Sequence, residues 1–155
     1  MYNSTRDLLD AFKATPETLA GLLANVTDAQ AKAAKGGDEG WSVVEVLCHL
    51  RDGEEIGFQR DRAMFEQKNP DIAPYDQDKF AIDRNYAGQD LRKALADFIR
   101  LRKEHVAFLE SLSPEGWKRP GNHLEIGNID IFSHTEHMVC HDSIHCAQIA
   151  RQLKG

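Results

Sequence analysis

The chain of 155 residues is 41% hydrophobic and 28% charged, which is typical of one globular domain spanning residues 1–155. Its net charge of −6 argues against a nucleic-acid partner, because no broad basic face is available to neutralise phosphates. No apolar run reaches the ~20 residues that span a bilayer, no signal peptide is recognisable, and three cysteines without a CxxC pair form no disulfide framework, so we predict a cytoplasmic protein without a membrane partner.

Helical periodicity dominates the start of the chain, and strand alternation is nearly absent throughout. Residues 4–26 are predicted to form a first helix, kinked or split at Pro16, where Thr15 would act as a new N-cap. Residues 27–34 form a short helix or turn, and the glycine-rich residues 35–40 interrupt the helical pattern.

Three longer helices follow. The second begins with a capping box, in which Ser42 is the N-cap and Glu45 lies three residues on, and it ends near Gln67. The third covers roughly residues 89–112, and the fourth runs over about residues 129–153. Amphipathic helices of this length predict an all-α four-helix bundle.

The connection between the second and third helices, residues 68–88, predicts the topology. Helix connections in bundles use ~2–8 residues, so this segment is long. Its extended reach of ~70 Å exceeds the ~39 Å length of the preceding helix, so the chain can return along the bundle. We therefore predict a crossover that makes the second and third helices parallel, the fourth antiparallel to the second, and the bundle up-down-down-up.

Four of the seven histidines lie in the last helix, at His134, His137, His141 and His145. At ~100° per residue they share one stripe, flanked by apolar positions on both sides, and so are predicted to face the interior. Burying an imidazole without a partner costs on the order of 1–3 kcal/mol. The stripe therefore predicts either polar side chains or a metal ion that holds these rings.

His49, on the second helix, is the third member of the predicted metal site. In antiparallel helices it lies level with His141 and His145, whereas parallel helices would bring it to His134 and His137. Three imidazoles with one position left open are typical of catalytic rather than structural zinc. An ion held in this way can polarise a substrate or activate a bound water or thiol.

Three segments resemble one known family: EGWSVVEVLCHLRDGEE at 39–55, YDQDKF at 75–80, and HMVCHDSIHCAQIARQL at 137–153. They are similar to the DinB/YfiT-like superfamily of small bacterial four-helix metalloproteins. The resemblance implies an up-down-down-up bundle and a nickel or zinc ion bound by the three histidines of the predicted site. It also implies a thiol-dependent transferase or isomerase that acts on a small-molecule substrate with bacillithiol, mycothiol or glutathione, and a homodimer.

Four other residues are candidates around this site. Asp52 and Glu45 lie beside His49 on the same helical face, and either could accept a hydrogen bond from its ring, although the capping box engages Glu45. His137 either contacts a ligand or substrate or is a satisfied interior histidine. Tyr75, in the crossover, either roofs the pocket or belongs to a packed strap.

The remaining histidines are predicted to lie away from the chemistry, His134 as a structural residue and His105 and His123 on the surface. Adjacent helical residues diverge by ~100°, so a cysteine next to a ligand histidine cannot readily share its ion. Small core positions are predicted for all three cysteines, Cys48, Cys140 and Cys146.

Three functions fit these features. The leading hypothesis is an enzyme whose metal ion activates a thiol for transfer, with metal-dependent hydrolysis as the alternative. A non-catalytic, stress-associated metal-binding protein would instead close the fourth coordination position with a ligand such as His137 or Asp52. The third hypothesis is a helical bundle without metal, in which the histidine stripe belongs to a seam of polar side chains.

Overall fold

The computed structural model describes all 155 residues and contains six α-helices and five short strands. The helices are α1 Thr5–Leu23, α2 Asp28–Ala33, α3 Val43–Glu66, α4 Gln77–Asp83, α5 Leu91–Glu110 and α6 Ile131–Lys154. The strands are β1 Lys35–Gly36, β2 Trp41–Ser42, β3 Asp71–Ile72, β4 Pro120–His123 and β5 Gly127–Asp130. The four long helices, α1, α3, α5 and α6, pack against one another as a helical bundle. None of the helices has the length and hydrophobicity needed to cross a membrane.

The strands form two small sheets that the sequence pattern does not predict. β1 and β2 pair antiparallel just before α3, and β4 and β5 form an antiparallel hairpin between α5 and α6. β3, from the long α3–α5 connection, pairs parallel with β4. Strands of two to four residues are too short to show a recognisable alternation of apolar and polar side chains, and the pairing of β3 with β4 also joins segments that are distant in the chain.

Side-chain caps determine where the long helices begin. The predicted capping box of α3 is confirmed, since Ser42 caps the backbone of Glu45 and Glu45 bonds back to Ser42. Asp130 forms a second capping box with Ser133, and Asp90 caps α5. These two aspartates place the starts of α6 and α5 two residues later than predicted.

The predicted split of the first helix is wrong, because α1 continues through Pro16. A proline cannot donate to the carbonyl four residues before it, here that of Phe12. Nη1 of Arg102 donates to this carbonyl at 2.8 Å and satisfies it. Thr15 does not cap a new helix; its hydroxyl donates to the buried carboxylate of Asp142 at 2.9 Å.

The order in which residues contact one another differs between the α3–α6 pair and the α3–α5 pair. On α3 and α6, His49 lies against His141 while Asp61, three turns further along α3, bonds to His134. The contacts between α3 and α5 follow the same direction in both helices. One hydrophobic cluster contains the first residues of both helices, and the other contains residues near their ends.

A buried polar layer separates the two hydrophobic clusters. Apolar side chains occupy both ends of the bundle, and polar ones occupy the positions between them on each long helix. The layer consists of Thr15, Glu54, Asp61, Arg102, His105, His134 and Asp142. Burying a polar group without a hydrogen bond destabilises the folded state, so these residues depend on one another as hydrogen-bond partners.

Candidate metal centre

Three histidines predicted as metal ligands meet near one end of the bundle. His49 comes from the first half of α3, and His141 and His145 lie one turn apart on α6. Nε2 of His49 is 2.8 Å from Nε2 of His141, and one ring nitrogen from each of the three residues lies within 4.8 Å of the others. We refer to them as the histidine triad.

Neighbouring side chains hold the rings of the triad in place. Trp41, at the entrance to α3, packs against His49 with ring centroids 5.3 Å apart. Nδ1 of His145 donates to Oε1 of Gln148 at 2.8 Å. An amide oxygen can only accept, so this bond leaves the lone pair of His145 on Nε2.

Two rings of the triad, those of His49 and His141, resist protonation and are ready to bind a cation. Burial, reinforced by the charge of His145, lowers the pKa of His49 to about 4. Burial, reinforced by the neighbouring histidines, lowers the pKa of His141 to about 3. These two rings are therefore neutral at physiological pH, and neutral imidazole is the form that coordinates metals.

The donor set fits a divalent transition metal. Zn–N bonds of ~2.0–2.1 Å in a tetrahedral site place ligand nitrogens ~3.3 Å apart, a value bracketed by the separations within the triad. All three donors are imidazoles, which suit zinc, nickel and related ions rather than calcium or magnesium. Three protein ligands leave a coordination position for a water or a substrate.

Asp52 does not serve the triad as predicted. Its buried carboxylate accepts hydrogen bonds from Tyr86 Oη at 2.5 Å and from Arg51 Nε at 2.8 Å. Nδ1 of His49 is buried without a hydrogen-bond partner, so neither Asp52 nor Glu45 orients that ring through a hydrogen bond. Glu45 is engaged in the capping box instead.

A groove between α3 and α6 leads away from the triad, and Tyr75 and His137 both line it. The residues that define this α3/α6 groove are Leu50, Gly53, Glu54, Gly57, Arg60, Tyr75, His134, His137, Met138, His141 and Asp142. Tyr75 is half-buried beside Gly53, where a Cβ added to the glycine would be 3.7 Å from the phenol oxygen. His137 is exposed at the groove, so its interpretation as an interior histidine is wrong.

The predicted surface position of His105 is also wrong. The ring is fully buried, with Nδ1 2.9 Å from Glu54 and Nε2 2.8 Å from Asp61. Asp61 also accepts from Nδ1 of His134 at 2.6 Å, which gives His134 a partner inside the polar layer. The sequence signal that would have placed His105 in the core is its spacing from Phe98 and Arg102, with which it shares the buried face of α5.

Two further predictions about single residues need correction. His123 is half-buried in β4 rather than on the surface, and burial lowers its pKa. Of the three cysteines, only Cys48 is buried in the core, while Cys146 is half-buried and Cys140 is exposed.

Comparisons with known proteins identify the family. A sequence profile of the DinB superfamily matches residues 11–149. "Putative metal-dependent hydrolase OB0782" of Oceanobacillus iheyensis is 30% identical over 115 residues, which cover 74% of this chain and 66% of that protein. A relative with the same description from Bacillus mycoides is 29% identical over 71% of this chain and 63% of its own length, so the chain spans somewhat less than two thirds of these relatives.

Among solved structures, YfiT from Bacillus subtilis, described as a probable metal-dependent hydrolase with an unusual four-helix bundle topology, superimposes with a TM-score of 0.89. At 23% sequence identity the match covers 98% of this chain and 87% of YfiT, and it shows a shared fold. The prediction of a DinB/YfiT-like fold is confirmed, and the chain belongs to the DinB superfamily.

Proposed function

We propose that the chain is a divalent-metal-dependent enzyme in which His49, His141 and His145 hold a zinc or nickel ion. The observation that carries this proposal is the convergence of three imidazoles, with no carboxylate or thiol among them, at one end of a polar groove. When bound, the ion would supply Lewis-acid activation of a water or a thiol at its open position.

The side chains around the triad would orient the ligands and admit a substrate. Gln148 fixes the ring of His145, and Trp41 covers the ring of His49. Because the carboxylate of Asp52 is bonded to Tyr86 and Arg51, it is not free to close the fourth coordination position. This engagement supports a catalytic site over a purely structural one.

Two reactions are supported by different observations. The names of the two relatives support metal-dependent hydrolysis. Thiol transfer would need an external thiol, because Cys48 is buried and Cys146 half-buried, and burial raises their pKa to about 12 and about 11, so neither supplies a thiolate at neutral pH. A thiolate at the triad would then come from a low-molecular-weight cosubstrate such as bacillithiol, mycothiol or glutathione.

Assays of the zinc- and nickel-loaded protein test the proposal. We expect turnover either in hydrolysis of an activated ester or in conjugation of a low-molecular-weight thiol to an activated aryl halide. The activity should disappear on chelation and in His145→Ala, and it should persist in the control His123→Ala. Activity that survives His145→Ala in the chelated protein would refute the metal-dependent mechanism.

We also infer the up-down-down-up topology, with a crossover between α3 and α5. The opposite residue order of the α3–α6 contacts and the common order of the α3–α5 contacts support it. The homodimer and the cytoplasmic location stay predictions, which sedimentation and cell fractionation test.

A further inference from the structure

The α3 wall of the α3/α6 groove is built from one helical face. Gly53, Gly57 and Arg60 follow His49 at intervals of four, four and three residues, which places all four within a narrow stripe. The same cavity that touches His141 of the triad also touches Arg60. A molecule in this groove can therefore contact the triad at one end and the guanidinium group at the other.

The two glycines allow other side chains to approach this face of α3 closely. A Cβ at Gly57 would lie 2.4 Å from Cε of Met138, and a Cβ at Gly53 would lie 3.8 Å from Cε1 of His141. Glycine in a helix interior costs ~1 kcal/mol relative to alanine. Gly57 makes room for the packed side chain of Met138, and Gly53 leaves the groove free of a side chain beside Tyr75 and His141.

Arg60 is a cation without an anionic partner. Its Nη2 donates to the backbone carbonyl of Ala73 at 2.5 Å, and its guanidinium lies 5.9 Å from the ring centroid of Tyr75. The side chain is half-buried, and burial lowers its pKa. A guanidinium remains charged in proteins, so this partly desolvated charge is available to an incoming anion.

The buried acidic residues at the groove are already engaged elsewhere, and the exposed Glu125 acts on Arg60 only as a nearby charge. Nη2 of Arg102 lies 2.8 Å from carboxylate oxygens of both Glu54 and Asp142. Asp61, next to Arg60 in the chain, bonds instead to His105 and His134. Among the residues that line the groove, Arg60, Tyr75 and His137 can therefore donate hydrogen bonds to a ligand.

We infer that Arg60, with the neighbouring Tyr75 and His137, is the recognition site for an anionic group of the substrate, most simply a carboxylate, at the far end of the groove from the triad. This inference rests on the proposed function, because it assigns the nucleophilic or scissile end of the substrate to the metal. A planar guanidinium pairs well with a carboxylate, and the phenol and imidazole can each add a hydrogen bond.

Thiol binding to the cobalt-substituted protein tests this inference without an activity assay. Mercaptohexanoate and mercaptohexanol have the same chain and thiol but differ in the terminal group. A thiolate that enters the open position of cobalt produces a charge-transfer absorption, and its titration gives the dissociation constant. We expect the carboxylate to bind about tenfold more tightly than the alcohol.

The variant Arg60→Gln should remove this preference while leaving the affinity for mercaptohexanol unchanged. Arg62→Gln is the matched control, because Arg62 is an exposed cation on the same helix that pairs with Glu66 at 2.9 Å. It should keep the wild-type preference. Equal affinities for the two thiols in the wild type, or a preference that survives Arg60→Gln, would overturn the inference.

Calorimetry of the same titrations separates this inference from the proposed function. Carboxylate binding that depends on Arg60 but leaves the cobalt spectrum unchanged would retain the anion site and refute thiol coordination at the triad. Spectral binding of both thiols with no dependence on charge would retain the metal chemistry and refute the anion site. An absence of heat and of spectral change with either thiol would overturn both.

Discussion

His105 lies in the middle of the bundle with both ring nitrogens bonded to carboxylates. Nδ1 lies 2.9 Å from Glu54 and Nε2 lies 2.8 Å from Asp61. Ionised carboxylates only accept hydrogen bonds, so both nitrogens donate and the ring is an imidazolium. Burial disfavours this charge, but the hydrogen bonds and charges of Asp61 and Glu54 outweigh it and raise the pKa of His105 to about 9.

We predict that this histidine makes the free energy of unfolding depend on pH in the mildly alkaline range. A group whose pKa is raised by folding contributes fully below its unfolded-state pKa, which is ~6.5 for histidine. The contribution is lost as the pH rises through the folded-state pKa of about 9. Urea unfolding of the metal-free protein should therefore show a loss on the order of 3 kcal/mol across this interval.

The matched variant for this measurement is His105→Gln, because glutamine keeps a donor between the carboxylates but does not titrate. The lowered pKa values of His49 and His141 affect stability only below pH ~6.5, and Cys48 and Cys146 act equally in both proteins. If the variant does not refold, the NMR titration of the wild-type ring gives the pKa directly. A pKa at or below the ordinary value would contradict the prediction.

Removing either triad histidine of α6 is predicted to abolish tight metal binding. His141→Ala and His145→Ala each leave two imidazoles, so zinc should be lost on dialysis, and elemental analysis should show a fall from stoichiometric to trace metal. His123→Ala removes an imidazole outside the triad and should keep the full metal content. Stoichiometric zinc in His145→Ala would mean that the ligand set is different.

At the scale of residues, sequence periodicity identifies side chains that share a helical face, but it does not identify partners across helices. The three triad histidines could be found because two of them are one turn apart on α6, and the third lies level with them along the bundle when α3 and α6 are antiparallel. His105 could not be found in this way, since its carboxylate partners are 51 and 44 residues distant in the chain. A charged residue on a buried face looks like a surface residue until its partners are known.

At the scale of elements, α3 combines good capping with two interior glycines. We predict that Gly53→Ala stabilises the protein by ~0.5–1 kcal/mol, because alanine has the higher helix propensity. The added methyl group would make ordinary contacts, 3.7 Å from Tyr75 Oη and 3.8 Å from His141 Cε1. Thermal unfolding should therefore show a higher Tm, while mercaptohexanoate binds the cobalt-substituted variant more weakly because the groove is narrower.

The control is Gly21→Ala in α1, where a Cβ would meet nothing within 4 Å. This variant should gain similar stability without any change in thiol binding. Thiol affinity that is equal in Gly53→Ala and the wild type would show that the groove does not hold the ligand. A lower Tm in Gly53→Ala alone would show instead that the methyl group disturbs the packing of α3 against α6.

Helix starts and strand pairs differ in how far the sequence predicts them. The capping box of Ser42 and Glu45 is local, and it is confirmed. The continuity of α1 through Pro16 depends on the distant Arg102, which satisfies the carbonyl that proline leaves free. The pairing of β3 with β4 likewise joins segments separated by the whole of α5. Interactions between residues that are close in the chain can be predicted from the sequence, whereas hydrogen bonds supplied by a distant helix cannot.

At the scale of the whole molecule, the triad links two helices that are distant in the chain. His49 precedes His141 by 92 residues, and only the packing of α3 against α6 brings their rings to 2.8 Å. An ion held by the triad therefore acts as a crosslink that exists in the folded state alone. The helical bundle could be predicted from periodicity and family resemblance, but the buried polar layer between the two hydrophobic clusters could not.

We predict that zinc or nickel raises the thermal stability of the protein and that His49→Ala removes this effect. A ligand that binds only the folded state stabilises it by RT ln(1 + [L]/Kd), which is about 2.7 kcal/mol at roughly 100 times Kd. For a chain of this size the gain corresponds to a rise in Tm of ~5–10 °C, measurable by differential scanning fluorimetry with and without a chelator. His49→Ala leaves the His141 and His145 pair intact on α6 but removes the connection to α3, so the metal-dependent shift should shrink to near zero. His123→Ala should retain it in full. A full shift in His49→Ala would show that α6 alone binds the ion, and the open-position chemistry proposed for a three-histidine site would then lose its basis.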